Sequence, residues 1–345
     1  MKKLLLNCTR EAYHAGRRVV VPLMGFPGLS MTGSSIKLAQ QNYGEHYKAI
    51  KALVDTFHPD LVFPLMDLSV EANALGRYTV FPKDDSATVP KDAFDEDDIN
   101  RWRLINISYD SRLMGYVEVQ KLMSIGLPPS ILRGAYVAGP YSLAALIMGA
   151  DEAAVATLLS PDRLDVLCEF TTETIQQYTR LLIGAGAQVI CILEPSAVML
   201  GPEQFERFSS RYVGHISKSC QFSGVDIIYH ICGNTMHLID KMVEAGVNGI
   251  SLDSPETGVD LPAVARRVPE DVAVIGNINP TATIFKGTPA EVEKEVTGLL
   301  KSMEFCPQFI LSTGCDLPQD TPLGNIAAFM RTGRNSHILR SNIRK

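Results

Sequence analysis

The sequence contains no apolar segment of the about 18 residues that a membrane span needs. Its first ten residues, MKKLLLNCTR, include three consecutive leucines, which is shorter than the roughly 7–15 apolar residues of a signal-peptide core. Its seven cysteines are odd in number and irregularly spaced, unlike the disulfide framework of a secreted domain. We therefore expect a cytoplasmic protein with reduced cysteines and no membrane partner.

Positive charge is also scarce, with 32 Lys+Arg against 38 Asp+Glu and a formal net charge of -6. No basic stripe is present, which argues against a nucleic-acid partner. The locally basic segment 331–345 is typical of a solvated helix end and tail. The rest of the composition, 46% hydrophobic and 20% charged, is ordinary for a globular protein.

Eight short apolar runs recur along the chain, most of them rich in Val and Ile and without polar alternation. This pattern is typical of parallel strands that are covered on both faces. The runs are 17–25, 60–67, 131–140, 188–195, 225–232, 248–253, 272–279 and 308–316.

The segments between the runs show helical periodicity. Apolar residues or threonine recur at a period near 3.6 over 164–182, with Ser160 as the expected N-cap and Pro161 in the first turn. Thr288 and Pro289 begin a similar helix. Eight β–α alternations predict a (β/α)8 TIM barrel, an α/β fold, as one domain over residues 1–345.

Two alternatives to one closed barrel remain open from the pattern alone. Length by itself also allows two domains, and a doubly wound open sheet has the same alternation of strands and helices. No Gly-x-Gly-x-x-Gly motif follows the first run, which counts against dinucleotide binding.

One connection, between the second and third runs, is unusually long, and it includes the polar segment 81–102. Its acidic run, Asp95–Asp98, is expected to form a solvated loop and a helix start. We expect a long insertion after the second strand, and an insertion at the mouth of a barrel can serve as a lid.

Candidate metal ligands lie where the strands end, which is where barrel enzymes carry their chemistry. His230 and Cys232 are two residues apart on the fifth run and therefore point the same way. Cys315 follows Gly314 at the end of the eighth run. Two sulfurs and one nitrogen suit zinc and leave a fourth position open, as in catalytic zinc sites. A purely structural role for these side chains stays the alternative.

Polar side chains at three other strand ends complete the candidate site. We assign Asp67 and Glu194 to catalysis, although Asp67 and Glu71 could also serve as helix caps. Glu194 could instead orient the His230 ring from behind. We assign Asn277 and Asn279, at the end of the seventh run, to cofactor binding.

Several stretches together resemble the uroporphyrinogen decarboxylase superfamily, and within it the methylcobamide:coenzyme M methyltransferase branch. HICG and GCDLPQDTPL are the most specific pair among them. The matching stretches are PLMDLSVEANALG, GPYSLAALIMG, GAQVICILEPSA, LGPEQFERF, YHICGNT, GNINP and STGCDLPQDTPLGNI.

The resemblance implies a function as well as a fold. In the methyltransferase branch the His-x-Cys pair and the distant cysteine bind zinc, which here implies His230, Cys232 and Cys315 as Zn²⁺ ligands. Zinc would keep an acceptor thiol ionised, and the thiolate would attack the methyl group of a methyl-Co(III) corrinoid. No Asp-x-His-x-x-Gly corrinoid motif is present, so a small corrinoid protein is the expected partner and supplies the methylcorrinoid.

The decarboxylases themselves differ from this chain in informative ways. They carry an Arg-Gln-Ala-Gly-Arg type motif near the N-terminus, where this sequence reads GRRVVVPLMGFPG, and a histidine in place of Cys315. A decarboxylase is therefore disfavoured. Methyl transfer to tetrahydrofolate, and a barrel that binds the methyl carrier without turnover, also stay open. The sequence leaves the identity of the acceptor thiol undecided.

Overall fold

A ring of eight parallel β-strands surrounded by helices forms the fold, as described by a computed structural model for residues 3–335. Each predicted run contains one strand. The strands are β1 Val19–Val20, β2 Leu61–Val62, β3 Leu132–Ala138, β4 Val189–Leu193, β5 Asp226–Ile231, β6 Gly249–Leu252, β7 Ala273–Ile278 and β8 Phe309–Thr313. Most of the basic segment at the end of the chain, 336–345, lies outside the described residues.

Helices follow the strands and also fill the longer connections. Within residues 3–335 the α-helices are α1 Leu4–His14, α2 Pro27–Thr32, α3 Ile36–Gln41, α4 Tyr43–Phe57, α5 Val70–Ala74, α6 Glu96–Trp102, α7 Ser111–Gly126, α8 Pro140–Met148, α9 Ala150–Leu159, α10 Pro161–Gly184, α11 Pro202–Phe205, α12 Arg211–Cys220, α13 Ile239–Glu244, α14 Leu261–Arg267, α15 Thr283–Lys286, α16 Pro289–Ser302 and α17 Leu323–Gly333.

The strand order shows that the sheet curls into a barrel. Neighbouring strands pair in the order β1-β8-β7-β6-β5-β4-β3-β2. Between β1 and β2 the Asp60 N–H donates to the Val20 carbonyl at 3.2 Å, and the Asp60 carboxylate accepts from the Val20 N–H at 2.8 Å. The predicted (β/α)8 barrel is confirmed, and the doubly wound open sheet is excluded.

β1 and β2 are shorter than the apolar runs that predict them. Pro22 and Pro64 each come two residues after the last residue of the strand. Proline has no N–H to donate, so the strand ladder ends there. Asp67 consequently lies in the loop after β2 and not in the strand itself.

Alternate residues of each strand divide the apolar core into two layers. In β4, Val189, Cys191 and Leu193 pack inside the barrel, while Ile190 and Ile192 pack between the sheet and the helices. This is the two-residue period of an extended strand. Because both faces are covered by apolar side chains, the strands read as continuous apolar runs.

The insertion between β2 and β3 contains α5 and α6 before α7 continues the barrel. Asp95 accepts from the Asp98 N–H at 3.1 Å, and the Asp98 carboxylate accepts from the Asp95 N–H at 3.0 Å. The acidic run therefore begins a helix, as the sequence predicts. Trp102 stacks with Phe170 of α10 at 6.0 Å between ring centroids, which anchors the insertion. Its role as a lid stays a prediction.

The two predicted helix starts lie where expected. Ser160 precedes α10 and Pro161 is its first residue, although the Ser160 side chain makes no capping hydrogen bond. At α16, Thr288 and Glu291 cap each other reciprocally, which satisfies two otherwise free N–H groups.

No single helix among the described residues is long and apolar enough to cross a bilayer. Within residues 3–335, α8 and α9 taken together have the necessary length and composition, but a bend of 109° separates them. Eight of the nine residues of α8 are buried within the protein.

Candidate metal centre

Three soft ligands come together where β5 and β8 end. His230 is in β5, Cys232 directly follows that strand, and Cys315 lies two residues beyond β8. The His230 Nε2 is 3.2 Å from the Cys232 Sγ, which is 3.3 Å from the Cys315 Sγ. All three possible ligand atoms lie within 4.8 Å of one another. We call these three residues the triad; zinc binding by the triad stays a prediction.

The spacing of the triad fits a small tetrahedral metal ion. Zinc–sulfur bonds of about 2.3 Å place two thiolates roughly 3.8 Å apart at tetrahedral angles. The observed sulfur–sulfur distance of 3.3 Å is only ~0.5 Å shorter, and it is far longer than the about 2.05 Å of a disulfide bond. Two sulfurs and one nitrogen also suit zinc better than magnesium or calcium.

Ser251 sets the orientation of the His230 ring. The parallel register pairs His230 with Ser251 of β6, and the Nδ1 atom lies 3.0 Å from the serine Oγ. Both residues are buried. A hydrogen bond at Nδ1 leaves Nε2 to face the sulfurs, which is how metal-bound histidines are usually held.

The alternative in which Glu194 orients the His230 ring is wrong. The Glu194 main-chain N–H donates to the His230 carbonyl at 2.9 Å, which is a ladder contact between neighbouring strands. The ring nitrogen that needs a partner contacts Ser251 instead.

The two thiols of the triad influence each other's ionisation. The hydrogen bond from Cys232 holds the pKa of the Cys315 thiol well below its usual range, with a further contribution from His230. The same hydrogen bond and then burial raise the pKa of Cys232. A nearby positive charge such as a metal ion would favour the thiolate form of both cysteines.

Asp253 holds the turn that carries Cys232. Its Oδ2 accepts from the Gly233 N–H at 2.7 Å, and its Oδ1 accepts from the Ser254 N–H at 2.6 Å. Gly233 has φ 90°, a left-handed conformation that glycine adopts without strain. The turn after β5 is thus fixed to the end of β6.

Glu194 makes the contacts of a helix cap. Its Oε1 accepts from the Tyr141 N–H at 3.0 Å and the Ser209 hydroxyl at 2.8 Å, and its Oε2 accepts from the Ser142 N–H at 2.8 Å. Burial raises the pKa of Glu194 to about 7. A Cβ at position 139 would lie 2.0 Å from Oε2, so Gly139 permits this approach. A catalytic role for Glu194 stays a prediction.

Asp67 lies in a buried network between the loop after β2 and α7. Its Oδ1 accepts from the Ser69 N–H and hydroxyl at 2.9 and 2.7 Å. Its Oδ2 accepts from the Tyr116 hydroxyl at 2.7 Å and forms a buried ion pair with Arg112. These contacts include no member of the triad, and the catalytic assignment of Asp67 stays a prediction.

Glu71 joins the insertion to the sheet. Its Oε1 accepts from the Ala138 N–H of β3 at 2.7 Å. Burial raises the pKa of Glu71 to about 7. Its side chain therefore links α5 to the barrel wall.

The two candidate asparagines make different contacts. The Asn277 Nδ2 donates to the Asp253 carbonyl at 3.1 Å, while its Oδ1 is buried with no hydrogen-bond partner among residues 3–335. The Asn279 Oδ1 accepts from the Thr281 N–H at 2.9 Å and hydroxyl at 3.1 Å. Asn277 thus ties β7 to the loop beside the triad, whereas Asn279 caps a turn. Their role in cofactor binding stays a prediction.

Sequence reasoning alone misses two polar side chains beside the triad. Both carboxylate oxygens of Asp316 and the hydroxyl of Tyr136 are buried without a hydrogen-bond partner in the described part of the chain. Burial, followed by the charge of Cys315, raises the pKa of Asp316, and burial, followed by the charge of Asp316, raises that of Tyr136. Asp316 follows a candidate ligand directly, whereas Tyr136 is brought close only by the fold.

Curated proteins of two activities resemble this chain. The methylcobamide:CoM methyltransferase MtbA of Methanosarcina acetivorans is 30% identical over 203 residues, 57% of this chain and 56% of that protein. The uroporphyrinogen decarboxylase of Parasynechococcus marenigrum is 28% identical over 247 residues, 69% of this chain and 68% of that protein. The chain thus matches little more than half the length of its methyltransferase relative.

Solved structures share the fold over almost the whole chain. A methyltransferase from Methanosarcina mazei superimposes with a TM-score of 0.83 at 18% sequence identity and covers 94% of this chain and 98% of its own. A B12-independent methionine synthase from a Shewanella species gives a TM-score of 0.62 at 11% identity with the same coverage. The uroporphyrinogen decarboxylase (URO-D) family model matches residues 30–336. With this match and the barrel in place, the chain belongs to the uroporphyrinogen decarboxylase family.

Proposed function

We propose that this protein transfers a methyl group from a methylated corrinoid, carried by a separate small protein, to a small thiol, with zinc bound by His230, Cys232 and Cys315. The observation that carries the proposal is the convergence of these three ligand atoms within 4.8 Å at the mouth of the barrel. Sequence similarity to methylcobamide:CoM methyltransferases supports it.

The reaction needs an ionised acceptor thiol near the methyl donor. Zinc, when bound, would supply a Lewis acid that keeps the acceptor thiol ionised at neutral pH. The acceptor sulfur forms a bond to the methyl carbon while the cobalt–carbon bond breaks. The electron pair of that bond stays on cobalt, so Co(III) becomes Co(I), and the thiol proton passes to solvent.

The residues of this chain have defined tasks in the proposal. Cys232 and Cys315 are each half-buried, so their sulfurs hold the metal near the surface of the barrel mouth. Ser251 keeps the Nε2 of His230 facing that position, and Asp253 fixes the turn that carries Cys232. The corrinoid carrier docks over this mouth in the proposal, because a methyl donor that is bound to a second protein must reach the triad from outside.

The test is methyl transfer by the purified, zinc-loaded protein. Free methylcobalamin is supplied as donor with coenzyme M, homocysteine or tetrahydrofolate as acceptor, and methylated products are identified by mass spectrometry. We expect a methylated thiol and loss of transfer in the Cys232→Ser/Cys315→Ser variant. Full activity and full zinc content in that variant would refute the proposal.

Two further outcomes would replace the proposal with another activity. Methylation of tetrahydrofolate in preference to every thiol would identify an amine acceptor. Release of carbon dioxide from uroporphyrinogen without added metal would identify a decarboxylase, the activity of several relatives.

A further inference from the structure

A cavity of about 450 Å³ lies between the end of α3, the first turn of α4 and the first turns of α7. Asn73 and Phe81, both in the insertion, complete its wall. Its size is within the range of small-molecule sites in proteins. Its lining includes no member of the triad, so a ligand bound here would be separate from the candidate metal centre.

Gln40, at the end of α3, lines this cavity with an amide that lacks partners. The residue is 2% exposed, and neither amide atom has a hydrogen-bond partner among residues 3–335. Gln120 of α7 shows the ordinary arrangement, because in the amide orientation that satisfies both atoms it donates to the Gly134 carbonyl at 2.9 Å and accepts from the Ala187 N–H at 3.3 Å. A buried amide without such contacts destabilises the fold unless a molecule in the cavity supplies them.

Gly115 leaves room in the same cavity. It lies inside α7, where glycine is less favourable than alanine, and a Cβ at this position would meet no atom within 4 Å. Gly126 in the same helix differs, because a Cβ there would collide with the Tyr47 side chain. No neighbouring protein atom therefore requires a glycine at position 115. Features that lower stability without a packing reason are typical of functional sites.

The charges around the cavity favour a neutral ligand. Arg112 lines the cavity but is already paired with Asp67. His46 also lines it, and burial lowers the pKa of His46 to about 3, so its ring is neutral near pH 7. Asp110 adds a carboxylate to the lining, which would repel an anionic ligand.

The remaining groups favour a planar ring with a hydrogen-bonding edge. The Gln40 amide offers a donor and an acceptor side by side, as in the pairing of glutamine with the edge of adenine. The buried Arg112 Nε, which has no partner in the described part of the chain, offers one more donor. Tyr43 and Phe81 contribute aromatic rings to the lining, on which a planar ligand can stack.

We propose that this cavity binds a neutral, planar heterocycle with a hydrogen-bond donor and acceptor side by side, as in the nucleobases, and that the Gln40 amide pairs with that edge. Arg112 and Tyr116 both line the cavity and both contact the Asp67 carboxylate. The bound ring would thus lie against the side chains that hold Asp67. The site needs neither zinc nor a corrinoid and is independent of the proposed methyl transfer.

Two pairs of ring compounds test this ligand class in NMR titrations of the purified full-length protein. Adenine and purine share a ring system, but purine lacks the amino donor. Uracil and orotate share an edge, but orotate adds a carboxylate. We expect adenine to bind more tightly than purine and uracil more tightly than orotate, each by about tenfold, the effect of one unsatisfied buried group. If neither adenine nor uracil binds, or if both pairs bind equally, the inference is wrong.

Gln40→Leu and Gly115→Leu separate ligand binding from a structural role. Gln40→Leu removes an amide without partners, so it should raise the melting temperature of the free protein and weaken binding by about tenfold or more. Gly115→Leu places a good helix former in α7 and fills the cavity, so it should block binding. A lower melting temperature with unchanged binding in Gln40→Leu would show that the amide is structural and would overturn the inference.

Matched substitutions outside the cavity serve as controls. Gln120→Leu removes an amide that has both contacts, so it should lower the melting temperature and leave affinity unchanged. Gly298→Leu adds the same side chain in open space on α16 and should also leave affinity unchanged. Loss of binding in a folded Gly298→Leu variant would contradict the assignment to this cavity. If Gln40→Leu does not fold, Gly115→Leu and the wild-type preferences decide.

Discussion

Ser251→Ala isolates the contact that orients the His230 ring. The His230 Nδ1 and the Ser251 Oγ are 3.0 Å apart, with relative exposures of 1% and 2%, so no bulk solvent replaces the lost hydroxyl. Loss of such a partner lowers metal affinity by about 10- to 100-fold, or roughly 1.4–2.7 kcal/mol. We expect a decrease in zinc affinity of that size, measured by competition with a chromophoric chelator at fixed pH.

A second buried serine provides the matched control. The Ser210 hydroxyl donates to the Lys241 carbonyl at 2.6 Å, and neither residue belongs to the triad or contacts it through an observed hydrogen bond. Ser210→Ala should lower stability by about 1 kcal/mol and leave zinc affinity unchanged. If Ser251→Ala remains folded and binds zinc as tightly as the wild type, the account of how His230 is held is wrong.

Three further predictions concern Glu71, Gly139 and Asp67, which are buried residues outside the triad. Burial raises the pKa of Glu71 from 4.5 to about 7, so the free energy of unfolding should fall by about 3 kcal/mol as the pH rises through this interval. Glu71→Gln should flatten that fall in thermal melts. An unchanged pH dependence would contradict the raised pKa of Glu71. Gly139→Ala should lower the free energy of unfolding by about 3 kcal/mol, because the new Cβ would lie 2.0 Å from the buried Glu194 carboxylate. Gly298→Ala, which has open space in α16, should instead raise it by about 0.5–1 kcal/mol. Equal effects of the two substitutions in urea unfolding would refute the close approach of Glu194 to Gly139. Asp67→Asn should lower the free energy of unfolding by about 3–5 kcal/mol, because it leaves Arg112 without its ion-pair partner. Asp67→Asn/Arg112→Met should recover part of that loss. No recovery would show that loss of the ion pair is not the cause.

The barrel could be predicted from the sequence because its strands are covered on both faces. Each of the eight apolar runs contains a strand, since burial on two sides requires apolar residues at successive positions. The ends of β1 and β2 could have been placed better from Pro22 and Pro64, which end the ladder. The pairing register could not be predicted, because a run of apolar residues is compatible with several registers.

Strand geometry makes two of the candidate ligands neighbours, whereas the third depends on the topology of the barrel. His230 and Cys232 are two apart on one strand, so the extended conformation alone makes them neighbours. Cys315 is 83 residues from Cys232, and only the barrel topology brings it to the same end of the sheet. The resemblance to a known family identified the three residues together.

The contacts that support the site were beyond sequence reasoning. Ser251 faces His230 because of strand register, and a serine within an apolar run carries no signal of that role. The place of Glu194 at a strand end predicts a catalytic role, whereas its contacts with the start of α8 depend on how closely that helix approaches the strand. Tyr136 reads as an ordinary core aromatic until the fold places its hydroxyl beside the triad.

Zinc stoichiometry tests the central claim most directly. Protein purified without added chelator is analysed for metal by mass spectrometry, together with Cys232→Ser/Cys315→Ser and, as a control, Cys8→Ser, which changes a half-buried cysteine of α1. We predict about one zinc per chain in the wild type and in Cys8→Ser, as for a single site with three protein ligands, and almost none in the double variant. A wild-type protein that binds no zinc even after reconstitution, or a double variant that retains the full amount, would contradict the account.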